Sequence, residues 1–395
     1  MSSDDTFTVL DLFAGCGGLS TGFHAFAPEG GGERAFRAVG AVEMDLAAAS
    51  TYAVNTGLDS ARVHAGRIED WDPAAIPERV DLILGGPPCQ GFSSLNHKNR
   101  RPVGSDDARN RLWREYARAV RVLEPRAFII ENVDRFFRSP EFALLKAATE
   151  DPDGELRDYA LTAERVVNAA DHGVPQARRR AILLATHRDL ISSHPSGRGL
   201  VYPDPTHAKA PGAGSLAPWV SAATVFDRTP AGTSTTVLPD RVCAPLGVRI
   251  RGPFTMAELH VGRNPTARSL LRYATIPPGG NRWDLPPELS TRGWLRHRGG
   301  SGDVMGRMHR DRPSVTIRTE FYKPEKGRYL HPTEHRPITH LEAARIQGFP
   351  EDFLWCGSKT QIARQIGNAV PVGLAAALAV SVHAYLTGAP VPATG

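Results

Sequence analysis

The stretch FTVLDLFAGCGGLS, residues 7–20, decides the fold. Its apolar, β-prone start runs into glycines at 15, 17 and 18 and then into the helix-like "LSTGFHAFA". A strand delivered through a glycine turn to a helix lets backbone approach a nucleotide-like ligand at the strand's carboxyl end. The loop reads F-x-G-x-G-G and carries no pyrophosphate fingerprint, so an adenosine-bearing ligand without phosphates fits it better than a dinucleotide.

Outward from that turn the same alternation repeats. "AFRAVGAVE" precedes "DLAAASTYAVNTG", a predicted helix with Asp45 near its start and Gly57 as its stop. "VDLILGG" is a third strand, and the polar segment from Ser94 to Asn110 reads as a loop. In "RLWREYARAVRVLEP", Leu112, Tyr116, Ala119, Val120 and Leu123 fall on one helical face that ends before Pro125. "AFIIENV" and "RAILLAT" are two more short apolar strands. Strands alternating with helices predict an α/β fold, a parallel sheet with helices on both faces.

After Thr186 Pro, Gly and Arg become frequent and turn signals such as "IPPGGN" interrupt short β-prone pieces. The expected division is a first α/β segment, 1–186, a smaller loop- and strand-rich domain, 187–335, and a last segment, 336–395, in which helical patterning returns. From Arg251 to Arg336 there are 16 Lys and Arg against 8 Asp and Glu, a local +8 in a chain whose net charge is +5. Such asymmetry predicts a polyanionic partner for that region.

No apolar run reaches the roughly 18 residues of a membrane span and "MSSDDTFTVLDLF" lacks a secretory signal, so a cytoplasmic protein without membrane contact is expected. "VGLAAALAVSVHAYL" contains His383 and reads as a buried helix. Cys16, Cys89, Cys243 and Cys356 include no C-x-x-C pair, which disfavours a disulfide framework or zinc ribbon. His331 and His335 have a metal-ligand spacing, but Pro332 and Pro337 interrupt the helix it needs, and no metal is expected.

Three positions carry chemistry on their own residues. Glu43, at the end of the second strand, can accept from ribose hydroxyls. Cys89 follows a strand and Pro87-Pro88, with Gly91 permitting close approach, and is a candidate nucleophile. Glu131 ends another strand at the same sheet edge, with Arg178 and Arg180 of "QARRR" as candidate partners sharing one strand face.

The ordered set "DLFAGCGGLS", "GGPPCQGFS", "ENV", "QARRR", "RIQGFP" and "QIGNAVPV" resembles the cytosine-5 DNA methyltransferases of bacterial modification type. The resemblance implies a Rossmann-like fold with 1–186 as the first catalytic segment, 187–335 as the target recognition domain and 336–395 as a return segment completing the catalytic domain. It also implies S-adenosylmethionine as cofactor and a flipped cytosine in a specific duplex DNA sequence as substrate. It makes Cys89 the nucleophile at ring carbon 6, Glu131 the holder of a proton at nitrogen 3 and Arg180 the binder of the ring oxygen. Arg178 would hold the nucleophile loop or a phosphate. The cofactor would meet Phe13, Gly15, Gly17 and Gly18, with Glu43 on the ribose and Met44 on the adenine. Ile68, Pro88, Leu112, Asn368 and Val370 complete its expected contacts. Arg67 departs from the family's acid at the adenine, where Glu69, Asp70 or backbone would substitute. Gln90, Ser93, Arg292, Arg296, Arg298, Arg307, Arg310 and Arg318 are the expected DNA contacts, interleaved with Trp294 and Tyr322. The resemblance also implies a monomer and a cognate restriction endonuclease as functional partner. A transfer-RNA cytosine-5 methyltransferase of the same family and a catalytically silent nucleic-acid binder are the rival readings.

Overall fold

The computed structural model describes residues 6–28, 34–88, 108–211, 216–296 and 299–389. Eight strands build the main part of the fold: β1 (Phe7–Leu12), β2 (Phe36–Glu43), β3 (Val63–Ala65), β4 (Leu82–Gly85), β5 (Ala127–Val133), β6 (Tyr159–Asn168), β7 (Gln176–Ala177) and β8 (Arg179–His187). All but β7 form one sheet in the order β3-β2-β1-β4-β5-β8-β6. Between them run the helices α1 (Gly18–His24), α2 (Leu46–Thr56), α3 (Ala108–Leu123) and α4 (Pro140–Glu150).

The expected helix ends hold for α2. Asp45 accepts from the N–H groups of Ala47 and Ala48, and Gly57 closes the helix at φ 67°. Helix α3 starts earlier than its apolar face suggests, so Asn110 lies within it and not in a loop.

The parallel expectation holds for β3 through β5 and fails beyond. β8 runs antiparallel to both β5 and β6. The cause is the connection: only a short turn and β7 separate β6 from β8, too little chain for the helical crossover that parallel neighbours require. That reversal brings the amino end of β8 to the carboxyl end of β5, opposite Val133, and so delivers Arg180 to the edge where Glu131 stands.

Alternate strand residues feed two cores, which is how both faces are covered. Val9, Leu82, Leu84, Ile129 and Leu184 share one core with Phe23 of α1 and Leu374 and Leu378 of the C-terminal helix, Val372–Thr387. Leu10, Ile83, Phe128, Ile130 and Leu183 share the other with Trp113, Tyr116 and Val120 of α3. No single helix among the described residues is long and apolar enough to cross a membrane.

Residues 188–335 contain only two-residue strands and short helices, so most of their carbonyls lack a ladder partner. Arginines supply the missing donors. Arg328 donates to the carbonyls of Gly279 (2.7 Å), Gly302 (2.9 Å) and Arg307 (2.9 Å). Arg307 donates to the carbonyls of Ile276 (2.9 Å), His331 (2.5 Å), Glu334 (2.6 Å) and Tyr273. It is 2% exposed, which corrects its assignment as a DNA contact: its donors are consumed inside the protein. Phe226, Phe254, Met256 and Phe321 of this region share a core with Ile346 and Ile366, contributed by the helices His340–Ile346 and Lys359–Asn368.

Helix α1 crosses the C-terminal helix at backbone distance. A Cβ on Gly22 would lie 2.4 Å from the Ala375 methyl and 2.5 Å from the Ala376 nitrogen. Gly22→Val is therefore expected to lower unfolding stability by about 1–3 kcal/mol or more, measured as a reduced urea midpoint at unchanged slope.

Candidate active site

The carboxyl edge of the sheet opens on a cavity of about 630 Å³. Phe13, Gly15 and Gly18 bound it from the first strand turn, Glu43 and Met44 from the end of β2, and Gly86, Pro87 and Pro88 from the end of β4. Glu131 and Arg180 stand at its β5–β8 side, and Asn368 and Val370 return to it from near the C-terminus. Leu112 and Ile68 complete the apolar wall. The expected cofactor-side residues are thus brought together, except Gly17, which caps the start of α1 at φ 89° and does not line the cavity.

The turn is built under constraint. Phe13 has φ 56°, a left-handed conformation that costs a non-glycine residue free energy and persists where surroundings impose it. A Cβ on Gly18 would sit 2.7 Å from the Val370 carbonyl, so only glycine permits the C-terminal segment to lie there.

Glu43 is nearly buried and its two carboxylate oxygens accept from the N–H of Gly15 (2.8 Å) and of Asp45 (2.7 Å). Burial raises its pKa and these backbone donors oppose the rise. A carboxylate has about four acceptor positions, so two remain for hydroxyl donors in the cavity. Met44 beside it is 70% exposed, an apolar surface with room for a flat ring. Arg67 turns to Glu69 (2.7 Å), and Glu69 lines the cavity whereas Asp70 lines a different one along β3.

Glu131 and Arg180 form an ion pair at 2.7 Å with both side chains largely shielded. Arg180 opposes Val133, two residues from Glu131 on the same strand face, so the pair is a diagonal cross-strand contact. Arg178 behaves differently. It is 1% exposed and donates to the carbonyls of Ile317 (2.8 Å) and Gly367 (2.9 Å). Burial holds its pKa well below the usual arginine range. The expectation that Arg178 holds a phosphate is corrected accordingly: the side chain fastens the 317 and 367 backbones beside the cavity.

Cys89, Gln90, Ser93 and Arg298 lie outside the described residues. Arg292 and Arg296 are exposed on the short helix Arg292–Arg296. Arg310 is exposed and paired with Asp227. Arg318 is exposed but donates to the Tyr329 hydroxyl (3.0 Å) and the Lys326 carbonyl (2.6 Å). Trp294 lies under the Arg272 guanidinium at 5.2 Å, and Tyr322 stacks on His340. His331 is buried, with Nδ1 accepting from the Glu334 N–H (3.0 Å), so it caps a turn.

Two features escaped the sequence reading. Gln176 donates to Gln347 at 2.7 Å and accepts from the Ile317 N–H at 2.9 Å, while Gln347 donates to the carbonyls of Ile366 and Ala369. This buried amide pair welds three motifs behind the cavity. Asp11, on β1, is buried at the cavity floor, accepts from Ser20, and Ser20 in turn meets the Tyr52 hydroxyl at 3.2 Å. A charged residue inside an apolar strand was the signal available for it.

The model of the family described as C-5 cytosine-specific DNA methylase matches residues 7–212 and 287–384. Type II methyltransferase M1.HphI of Haemophilus parahaemolyticus is 30% identical over 384 residues, 95% of this chain and 87% of its own. Type II methyltransferase M.NgoFVII of Neisseria gonorrhoeae is 32% identical over 372 residues, 94% and 84% respectively. Among solved structures, an E. coli protein described as a prophage-encoded DNA modification methyltransferase superposes with TM-score 0.65 at 23% identity, covering 97% of this chain and all of its own. The Spodoptera frugiperda DNMT2 structure gives TM-score 0.54 at 18% identity, covering 94% and 98%. At these identities the structural likeness is one of fold.

Burial raises the Asp11 pKa from 3.8 to about 7, and the nearby Glu43 adds to the rise while the Ser20 hydroxyl opposes it. Between those values the folded state keeps a proton that the unfolded chain has lost, so this group's contribution to stability falls as pH rises through that window. Asp11→Asn removes the charge. The variant's melting temperature is expected to exceed the parent's at pH 8, with the difference shrinking towards pH 4; a difference independent of pH would contradict the assignment.

Proposed function

The chain belongs to the C-5 cytosine-specific DNA methylase family and is a DNA cytosine-5 methyltransferase; from that premise we propose how its own residues perform the reaction. The observation that carries the proposal is the shielded Glu131–Arg180 pair on the wall of a cavity whose rim includes Pro88. One peptide bond beyond Pro88 stands Cys89.

The cavity suits S-adenosylmethionine. Glu43 keeps acceptor positions for the ribose hydroxyls, Met44 and Ile68 offer apolar contact to the adenine, and Asn368 and Val370 bound the opposite side. Glu69, which lines the cavity, is assigned to accept from the adenine amine, the role for which this chain has Arg67 at the family's acidic position. When bound, this cofactor supplies an electrophilic methyl group.

Ring carbon 5 of cytosine is a weak nucleophile until electrons are pushed into the ring. The Cys89 thiolate adds to carbon 6, and the displaced π electrons make an enamine as nitrogen 3 takes the proton held by Glu131. Glu131 also accepts from the exocyclic amine, while Arg180 donates to the ring oxygen. Carbon 5 accepts the methyl group. Loss of its proton to a base restores the double bond and expels the thiolate. Arg178 acts as a positioning residue through the Ile317 and Gly367 backbones.

Carbon 6 is hidden in a duplex, so the cytosine is rotated out of the stack, which costs a few kcal/mol. Hydrogen bonds from Glu131 and Arg180 offset part of that. In this reading residues 1–186 and 336–395 form the catalytic domain and 187–335 recognise the target. The family model leaves residues 213–286 unmatched, which is what a sequence-reading segment particular to each enzyme predicts. Arg292 and Arg296 are exposed and, like Gln90, Ser93 and Arg298, are proposed to contact DNA. Arg310 and Arg318 must exchange protein partners for DNA to do so. We further place the enzyme in the cytoplasm as a monomer, in a restriction-modification pair with an endonuclease of the same specificity.

Incubation with methyl-labelled cofactor and either duplex DNA or transfer RNA tests the substrate: label is expected in DNA, and label confined to RNA would reverse the assignment. Cys89→Ser is expected to lower turnover by about three orders of magnitude while cofactor binding, read by calorimetry, is retained. Glu131→Gln keeps an oxygen for Arg180 to donate to but cannot hold or release the nitrogen 3 proton, and is expected to reduce turnover by about 10²–10⁴-fold.

A further inference from the structure

Two thiols outside the active site stand in contact. Cys243 lies on the strand Val242–Cys243, paired antiparallel with Ile250–Arg251 in a hairpin of the loop-rich region. Its sulfur is 3.8 Å from that of Cys356, 113 positions later. Cys243 is partly exposed and Cys356 is buried.

The two sides of this contact differ in how firmly they are held. Cys356 donates its N–H to Thr51 of α2 (2.9 Å), and its carbonyl accepts from Gln365 (2.9 Å) on the cavity-lining helix. Next to it Leu354 exchanges hydrogen bonds with Asn55 of α2, while the bonds between Trp355 and Phe254 tie this segment to the chain that follows the hairpin. The hairpin is attached through the packing of Leu246 against α2 and β3, and through the Arg251 carbonyl, which accepts from the Gly357 N–H at 2.8 Å. Leu246 and Val248 also wall a cavity of about 490 Å³ along β3, the edge strand of the sheet.

We propose that Cys243 and Cys356 are a site of reversible oxidation, closing a disulfide that staples the hairpin 242–251 over the sheet edge. A disulfide needs an S–S distance near 2.05 Å, so the sulfurs must approach by roughly 2 Å, and the more loosely held hairpin is the side that moves. The oxidant is hydrogen peroxide. The accessible Cys243 sulfur attacks the O–O bond, forming a sulfenic acid and releasing water. The Cys356 sulfur then attacks the sulfenic sulfur, and its thiol proton leaves with the departing hydroxide as a second water. Two thiols and one peroxide become one disulfide and two waters. Burial and the neighbouring Cys243 push the Cys356 thiol upward, consistent with its acting second. Cys16, 2% exposed with its sulfur 3.8 Å from the Gln365 carbonyl, is an internal control expected to stay reduced.

The test treats the folded full-length protein with hydrogen peroxide, alkylates remaining thiols under denaturation and maps peptides without reduction. The expected product is a linked peptide pair containing Cys243 and Cys356, lighter by two hydrogens, cleaved by dithiothreitol and formed equally in a Cys89→Ser background. Because the link closes a long loop in the unfolded chain, the melting temperature should rise by several degrees on oxidation. Cys243→Ala, at a partly exposed position, should abolish both link and rise. Full alkylation of both thiols after peroxide, or Cys243 linked to Cys16 or Cys89 instead, would overturn the proposal, as would a link that leaves the melting temperature unmoved.

Discussion

The structure depends on the closeness of α1 to the segment that follows Gly367. A side chain at Gly18 would strike the Val370 carbonyl, and one at Gly22 would strike the C-terminal helix. With both positions reduced to hydrogen, the helices meet at backbone range, and a chain of 395 residues returns to its first turn. The cavity has two opposing walls because of this contact. One wall is the Phe13–Gly18 turn with Glu43; the other is residues 364–370.

What could be read from the sequence was local. The strands β1, β2, β4 and β5, the Asp45 cap and the Gly57 stop follow from apolar runs and turn residues a few positions apart. The burial of the C-terminal helix was likewise visible in its composition. Strand β6 was missed because "YALTAERVVN" mixes charge with apolar residues and buries little, and with it went the antiparallel pairing of β8. Pairing is a property of two segments and of the length between them, and no single segment displays it. The site divided in the same manner. Residues at strand ends were legible because sheet geometry gathers them, whereas the fates of Arg178 and Arg307 depend on carbonyls far away in the chain.

Those arginines also qualify what net charge says about the middle region. A local excess of +8 counts Arg307 and Arg328 as if they faced a partner, yet both spend their donors on the protein's own carbonyls. In a region with little sheet or helix, five donors on one planar group do what a strand ladder does elsewhere. The guanidinium groups that remain free to meet an outside anion directly are those still at the surface, such as Arg292 and Arg296.

The contact between Cys16 and the Gln365 carbonyl spans 349 positions. A ribosome releases a chain from its beginning, at about 5–20 residues each second, so the first turn waits tens of seconds for its counterpart. Throughout that interval the nascent protein lacks one of the cavity's two walls. A message broken before the codons for residues 364–370 therefore yields a polypeptide in which this cavity has one wall and no opposing surface to close against.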